Sequence, residues 1–196
     1  MSDRRPHFTA DVLDWAAWVA PVDLAEATPE QQAALEASGP HAKTSQYYHL
    51  LLHDPSALRE RSLLFNAIMY GAKGLARADR ELGAAVESIE NGCIYCTSVH
   101  ARFYLQLAKR EEVIAALFEH GVAAPLGPRE RAIADFAAAL GATPPAPAPA
   151  HLSALRAQGF SDEEIFDLAN AVAMFAWANR LMLSLGEPIR PTSKEP

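Results

Sequence analysis

Cysteine is nearly missing from this sequence, with two in 196 residues, and that excludes a disulfide framework. So few thiols make a reducing cytoplasm the expected home. Excess positive charge is lacking too. Lys and Arg total 17 against 24 Asp and Glu, a formal net charge of −7, which argues against nucleic acid and anionic membranes as partners. Long apolar runs are absent: the longest, Ala171 to Ala178, falls far short of the ~20 residues that span a bilayer. The opening Met-Ser-Asp-Arg-Arg-Pro-His lacks the apolar core of a signal peptide. No stretch alternates convincingly as a strand, so the expected fold class is all-α. Apolar side chain is plentiful, at half of all residues, enough for one domain with a real core, or one domain and an arm.

Both cysteines fall in one stretch, residues 81 to 100, as Cys93-Ile-Tyr-Cys96, with Glu81 before them and His100 after. Leu82, Ala85, Val86 and Ile89 give residues 79 to 90 a helical pattern, and Asn91-Gly92 is a stop signal because both residues tolerate left-handed backbone. Val99, Phe103 and Leu107 continue an apolar stripe at a spacing of four, which predicts a second helix starting near Cys93. Both thiols then sit in a first helical turn, where unpaired N–H groups and the helix dipole favour thiolate. Positions 93, 96 and 100 share one helix face. His100, one turn beyond Cys96, is placed to take or return its proton, and Glu81 to orient the imidazole. A nucleophilic thiol, a resolving thiol, a base and an orienting carboxylate are the parts of a thiol peroxidase.

The remaining chain reads as helical scaffold. Residues 10 to 20, with Trp15 and Trp18, predict a short helix ended by Pro21. Thr28-Pro-Glu-Gln31 is a capping box whose helix Gly39 closes. Tyr47, Tyr48, Leu51 and Leu52 share a helix with His49 and His53, a spacing open to a metal site but more simply explained as surface or capping histidines. Asp54-Pro55 starts another helix, with Leu58, Leu64, Phe65 and Ile68 expected in the core, and Gly71 and Gly74 break it. Helices follow at 111 to 119 and from Pro128 through Leu140, where Arg129-Glu130 echoes Arg80-Glu81. The Pro-rich stretch from Thr143 to Ala150 is a stiff connection. Ser161-Asp-Glu-Glu164 caps a last helix to about Leu185, apolar nearly all round and so expected to be buried, including at a subunit contact. Asn179 and Arg180 interrupt it and read as core or interface polar residues.

The spacing Glu81, Cys93-x-x-Cys96, His100, with Ser88 and Asn91-Gly92 inside it, resembles the alkyl hydroperoxidase D group of the carboxymuconolactone decarboxylase superfamily. The resemblance extends over roughly residues 40 to 187. His53-Asp-Pro-Ser-Ala-Leu58, the run Leu126 to Arg131, Gly159 to Ile165 and Ala178 to Gly186 are similar to the longer, peroxidase-related branch. It implies an AhpD-like helical fold with the C-x-x-C at the start of a core helix. It divides the chain into an arm (1–40), the family domain (41–187) and a tail (188–196). The arm either packs on its own domain or wraps a neighbouring subunit. By position, the family implies Cys96 as the peroxide-attacking cysteine, Cys93 as the resolving one, and Glu81 with His100 as the proton relay. It also implies a homo-oligomer, a hydroperoxide substrate, no bound cofactor, and an external dithiol reductant such as a lipoyl-bearing adaptor. Two positions depart from the family pattern: Tyr95 stands where the founding enzyme has a relay histidine, and Glu87 where the family has an apolar residue. The second points to a changed contact or a local salt bridge.

Ile94, Phe103 and Tyr104 beside the motif suggest a preference for organic hydroperoxides. Rival readings use the same cluster: a zinc site on Cys93, Cys96 and His100, or a redox-responsive interaction protein without turnover. A c-type haem is excluded because Thr97, not histidine, follows Cys96. A thioredoxin-like enzyme would need strands around the motif. A ring-opening decarboxylase would not rely on this cysteine pair.

Overall fold

The computed structural model describes residues 7–190; Met1–Pro6 and the tail beyond 190 lie outside the described residues, and with them most of the signal-peptide test and of the tail. The described chain is all-α apart from two four-residue strands. In order it runs β1 (Asp14–Ala17), α1 (Pro29–Ala37), α2 (Gln46–Leu51), α3 (Pro55–Tyr70), α4 (Arg77–Glu90), α5 (Ile94–Ala108), α6 (Glu111–His120), α7 (Pro128–Gly141), α8 (Pro149–Ala157), α9 (Asp162–Leu185) and β2 (Gly186–Ile189). Short 3-10 turns, Pro40–Thr44 and Gly121–Ala123, join α1 to α2 and α6 to α7.

The helix starts follow local chemistry. Thr28 Oγ1 accepts from Gln31 N while the Gln31 side chain accepts from Thr28 N, closing the box that opens α1. Ser161 and Glu164 do the same for α9, and Asp54 caps α3 ahead of Pro55.

Helix α4 is the axis of the molecule, packed against α5, α7 and α9. Its Leu82, Val86 and Ile89 meet Ile133 and Phe136 of α7, Leu168 and Val172 of α9, and Ala101 and Tyr104 of α5 in one core. Because neighbours surround it, α4 also buries Arg80, Glu81, Glu87 and Ser88. The two terminal nitrogens of Arg80 donate to the carbonyls of Gly71 and Lys73 and to Asp167. That contact pins the loop ahead of α4 to α9.

By length and composition α9 is able to cross a membrane, but its Leu168, Val172, Phe175 and Met182 are buried within the protein, as in a core helix. It is not buried all round, contrary to the sequence expectation: Phe166 and Trp177 are 68% and 43% exposed. Leu64 of α3, expected in the core, is 54% exposed, and α3 buries Leu58, Ser62 and Met69 instead. Along α5 the buried line is Cys96, Thr97, His100, Ala101 and Tyr104, while Leu107 of the apolar stripe is exposed. Close packing of α5 on α4 selects small and polar residues there, so apolarity mislocates the face.

The largest difference lies at the ends. The segment expected as a helix at 10 to 20 contains β1, which pairs antiparallel with β2 in the register Trp15↔Pro188 and Ala17↔Gly186. A short isolated helix is marginal, whereas this ladder is completed by Trp18 N donating to Leu185 O at 2.7 Å and by burial of Trp15. The Trp15 indole N–H donates to Met182 O at 3.3 Å. Helix α8, at the end of the proline-rich stretch, was not expected; Pro149 stands in its first turn.

Candidate active site

The turn between α4 and α5 builds the site. Asn91 ends α4 in helical conformation, Gly92 takes φ 71°, and Cys93 is already the N-cap of α5. Cys93 N donates to Ser88 O at 2.8 Å, which ties the start of α5 to the last turn of α4. Ser88 Oγ in turn donates to Asn179 Oδ1 of α9 at 3.2 Å. The motif's Ser and Asn-Gly are the fasteners of a tight helical hairpin.

Cys93 and Cys96 are both reduced and both buried, at 2% and 4% exposure. They share a small apolar cluster with Trp15, Tyr47, Leu50 and Met182, and Cys96 Sγ lies 3.3 Å from Met182 Sδ. The two thiols differ in acidity. The Cys96 thiol donating to Cys93 lowers the Cys93 pKa against the cost of burial, and the backbone N–H groups of Cys96 and Tyr95 lower it further. Cys96 is pushed well above the ordinary thiol range, first by its hydrogen bond to Cys93, then by burial and the Cys93 charge; Arg61 acts in the opposite sense. Of the two, Cys93 is the thiol that gives up its proton more readily. Both cysteines are expected from the sequence to gain from the helix N-terminus, but only Cys93, the N-cap residue, is lowered; the neighbouring sulfur and burial raise Cys96 instead.

Glu81 and His100 meet inside the hairpin. Glu81 Oε2 is 2.6 Å from His100 Nδ1, with both residues at 5% exposure or less. Arg77 Nε donates to the other Glu81 oxygen at 3.1 Å, and Arg77 itself lies over the rings of Tyr70 and Phe103. Phe175 packs edge-on to the imidazole at 4.0 Å. An ionised carboxylate only accepts, so Glu81 fixes the proton on Nδ1 and leaves Nε2 as the basic nitrogen. His100 follows Cys96 by one turn of α5. All four residues singled out by spacing thus stand on one hairpin.

Other sequence readings resolve differently. Burial pushes the Tyr95 phenol up to about 12, so it stays protonated near neutrality and cannot replace a relay imidazole as a base. Glu87 forms no salt bridge among the described residues. It is fully buried, accepts from Asn91 Nδ2, and is pushed up to about 7 by burial. His49 and His53 each turn Nε2 to a backbone carbonyl, of Lys43 and Ala20, which satisfies them locally. Glu130 pairs with Arg110 at 2.8 Å, and Tyr104 packs in the main core rather than with the cysteine cluster. Asn179 is buried, whereas Arg180 is exposed and bonds Ala176 O and Thr143 Oγ1. No three His, Cys, Asp or Glu side chains among the described residues are grouped to hold a metal ion. Residues that spacing could not reveal also surround the thiols: Trp15, Tyr47, Arg61 and Met182 come from four separate elements or segments, and no local pattern links them to the motif.

Comparison with known proteins places the fold. Residues 55–139 match the Carboxymuconolactone decarboxylase family, and that range includes all four hairpin residues. A peroxidase-related protein from Ralstonia eutropha JMP134, described as an alkylhydroperoxidase AhpD core, is similar in structure with a TM-score of 0.72. The two are 24% identical over 89% of this chain and 90% of that one. A peroxidase-related protein from Silicibacter sp. TM1040 aligns with a TM-score of 0.68 at 24% identity, covering 93% and 90%. The debrominase Bmp8 aligns with a TM-score of 0.69 at 20% identity, covering 86% and 90%. A search of curated protein sequences gives no match. The match to the family covers the motif, and the shared helical architecture gives this chain the AhpD-like fold.

Proposed function

We propose that this protein is a thiol-dependent peroxidase that reduces organic hydroperoxides through a Cys93–Cys96 dithiol/disulfide cycle. The observation that carries the reading is the buried Glu81–His100 pair, one helical turn from a reduced C-x-x-C. A buried thiol whose pKa is raised needs a base to become a nucleophile, and His100, oriented by Glu81, is that base.

The cycle balances as follows. His100 takes the Cys96 proton. The thiolate attacks the terminal peroxide oxygen, so an S–O bond forms as the O–O bond breaks. The sulfur becomes a sulfenic acid, and the leaving alkoxide takes the proton from His100. Cys93 then displaces hydroxide from the Cys96 sulfenic acid, giving the disulfide and water. An external dithiol restores both thiols by exchange. Cytoplasmic location, self-assembly and a lipoyl-bearing reductant remain parts of this reading.

The test uses Cys93→Ser, reduced and given a slight excess of an organic hydroperoxide with a sulfenic-acid trap, followed by peptide mass spectrometry. The expected result is an adduct on Cys96 that weakens in His100→Ala. Absence of an adduct, with stoichiometric zinc in the purified wild type, would replace the peroxidase by a metal-stabilised interaction protein.

A further inference from the structure

Six side-chain polar atoms among the described residues are buried without a hydrogen-bond partner; one of them, Tyr47 Oη, belongs to the cysteine cluster, and another, Arg61 Nε, to a cation whose charge acts on both Tyr47 and Cys96. A buried donor without an acceptor costs about 1–3 kcal/mol, so two that are linked through Tyr48 ask for an explanation.

Both groups are held firmly. Tyr47, on α2, is 4% exposed and packs in the same cluster as Cys93 and Cys96. Its ring is set edge-on against Trp15 at 5.6 Å and Tyr48 at 5.9 Å. Arg61, on α3, donates through Nη1 to Tyr48 Oη at 2.9 Å and lies 4.4 Å over the Phe65 ring. Arg61 also ends a groove of about 320 Å³ between α3 and α9, which Leu64, Ile68, Ala173, Met174 and Trp177 make largely apolar. That volume is at the lower end of the range for small-molecule sites.

We propose that Tyr47 Oη–H and Arg61 Nε–H form an oxyanion site for the leaving oxygen of an organic hydroperoxide attacked by Cys96, whose apolar body lies in the α3–α9 groove. The inference rests on the peroxidase reading and names how that site handles its substrate. As the O–O bond breaks, its electron pair stays on the leaving oxygen, and charge develops there before the proton arrives from His100. Fixed donors aimed at developing charge are among the larger contributions to catalysis. Burial pushes the Tyr47 phenol above its ordinary range; Arg61 opposes this and the nearby cysteines add to it, so the phenol remains a protonated donor at working pH. The Arg61 guanidinium favours the Cys96 thiolate.

The test compares single-turnover oxidation of the full-length protein by cumene hydroperoxide with alkylation by iodoacetamide, which attacks the same thiols but displaces iodide and develops no oxyanion. Tyr47→Phe keeps the ring. It is expected to lower the peroxide rate roughly ten- to hundred-fold, with the alkylation rate and melting temperature unchanged. Arg61→Lys, which keeps the cation and removes Nε–H, should act in the same direction. Ala173→Trp, which fills the groove, should slow cumene hydroperoxide at least about ten-fold more than hydrogen peroxide. A Tyr47→Phe protein that oxidises at the wild-type rate, or that loses both rates equally, overturns the oxyanion site while leaving the peroxidase reading intact. Equal slowing of the two peroxides by Ala173→Trp overturns the groove. A wild-type protein that reacts with neither peroxide overturns the inference and the peroxidase reading together.

Discussion

Glu81 Oε2 and His100 Nδ1 are 2.6 Å apart across the α4–α5 hairpin, and the same carboxylate takes Arg77 through its other oxygen. The imidazole tautomer is therefore set from α4, while α5 sets the distance along the chain to Cys96. Glu81→Gln keeps the size of the side chain but presents a neutral amide to Nδ1. It is expected to slow peroxide-dependent oxidation of Cys96 roughly a hundred-fold, in line with loss of a general base's orientation. His100→Ala should do at least as much. Rapid-mixing measurement of sulfenate formation checks both, and wild-type rates in Glu81→Gln would remove Glu81 from the relay.

The thiol pair makes a prediction about pH. Cys96 is raised chiefly by its hydrogen bond to Cys93, and Cys93 is lowered chiefly by the same bond. Removing either partner should move the other toward, or past, the ordinary thiol value. In Cys93→Ala the Cys96 thiolate is expected to appear at lower pH than in wild type. In Cys96→Ala the Cys93 thiolate should appear at higher pH, since burial then acts with less opposition. Thiolate absorbance near 240 nm, followed against pH in each variant, measures both shifts; opposite movements would mean that no hydrogen bond links the two sulfurs.

Glu87 sits against the end of α7. A Cβ at Gly141 would collide with the Glu87 carboxylate, whose Oε2 is buried without a partner. Gly141→Ala is expected to destabilise the protein by about 1–3 kcal/mol through overpacking. The double variant with Glu87→Ala should recover much of that loss, because the clashing atoms are gone. Denaturant unfolding of the two single variants and the double variant gives the coupling. Additive losses would show that Gly141 matters for another reason.

The same carboxyl predicts how stability changes with pH. Burial raises Glu87 from an ordinary 4.5 to about 7, with Asn91 and Arg180 opposing and Glu90 assisting. Between these values the folded protein binds more protons at this position than the unfolded chain. The Glu87 contribution is therefore full below about pH 4.5, is lost as pH rises through about 7, and is flat above. Glu87→Gln, which cannot ionise, is expected to unfold with about 2 kcal/mol more stability than wild type at pH 8, and with little difference at pH 4.5. Chemical denaturation at the two pH values decides it; an equal effect at both would place the Glu87 pKa near its ordinary value.

Much of this molecule is legible residue by residue. Thr28-Pro-Glu-Gln31 and Ser161-Asp-Glu-Glu164 declare helix starts, and Asn91-Gly92 declares the α4–α5 turn, because caps and left-handed turns are decided within four residues. The spacing Glu81, Cys93, Cys96, His100 is legible for the same reason. Two adjacent helices joined by a tight turn convert sequence separation directly into distance.

What the sequence by itself determined, then, is the all-α class, the helix starts and the hairpin that carries the cysteines. Tertiary structure decided the rest. Trp15 reads as part of a short helix, and only the ladder with Gly186–Ile189, at the far end of the chain, makes it a strand. Glu87 reads as a changed contact or a local salt bridge until packing against α7 buries it, and Leu64 reads as core until α3 turns it outward. Tyr47 and Arg61 carry no sign of the thiols in their local sequence. Tyr47 reaches the cysteines because α2 packs on the start of α5, and Arg61 follows because α3 packs on α2, a long-range outcome that hydrophobic burial selects and that no short-range pattern records.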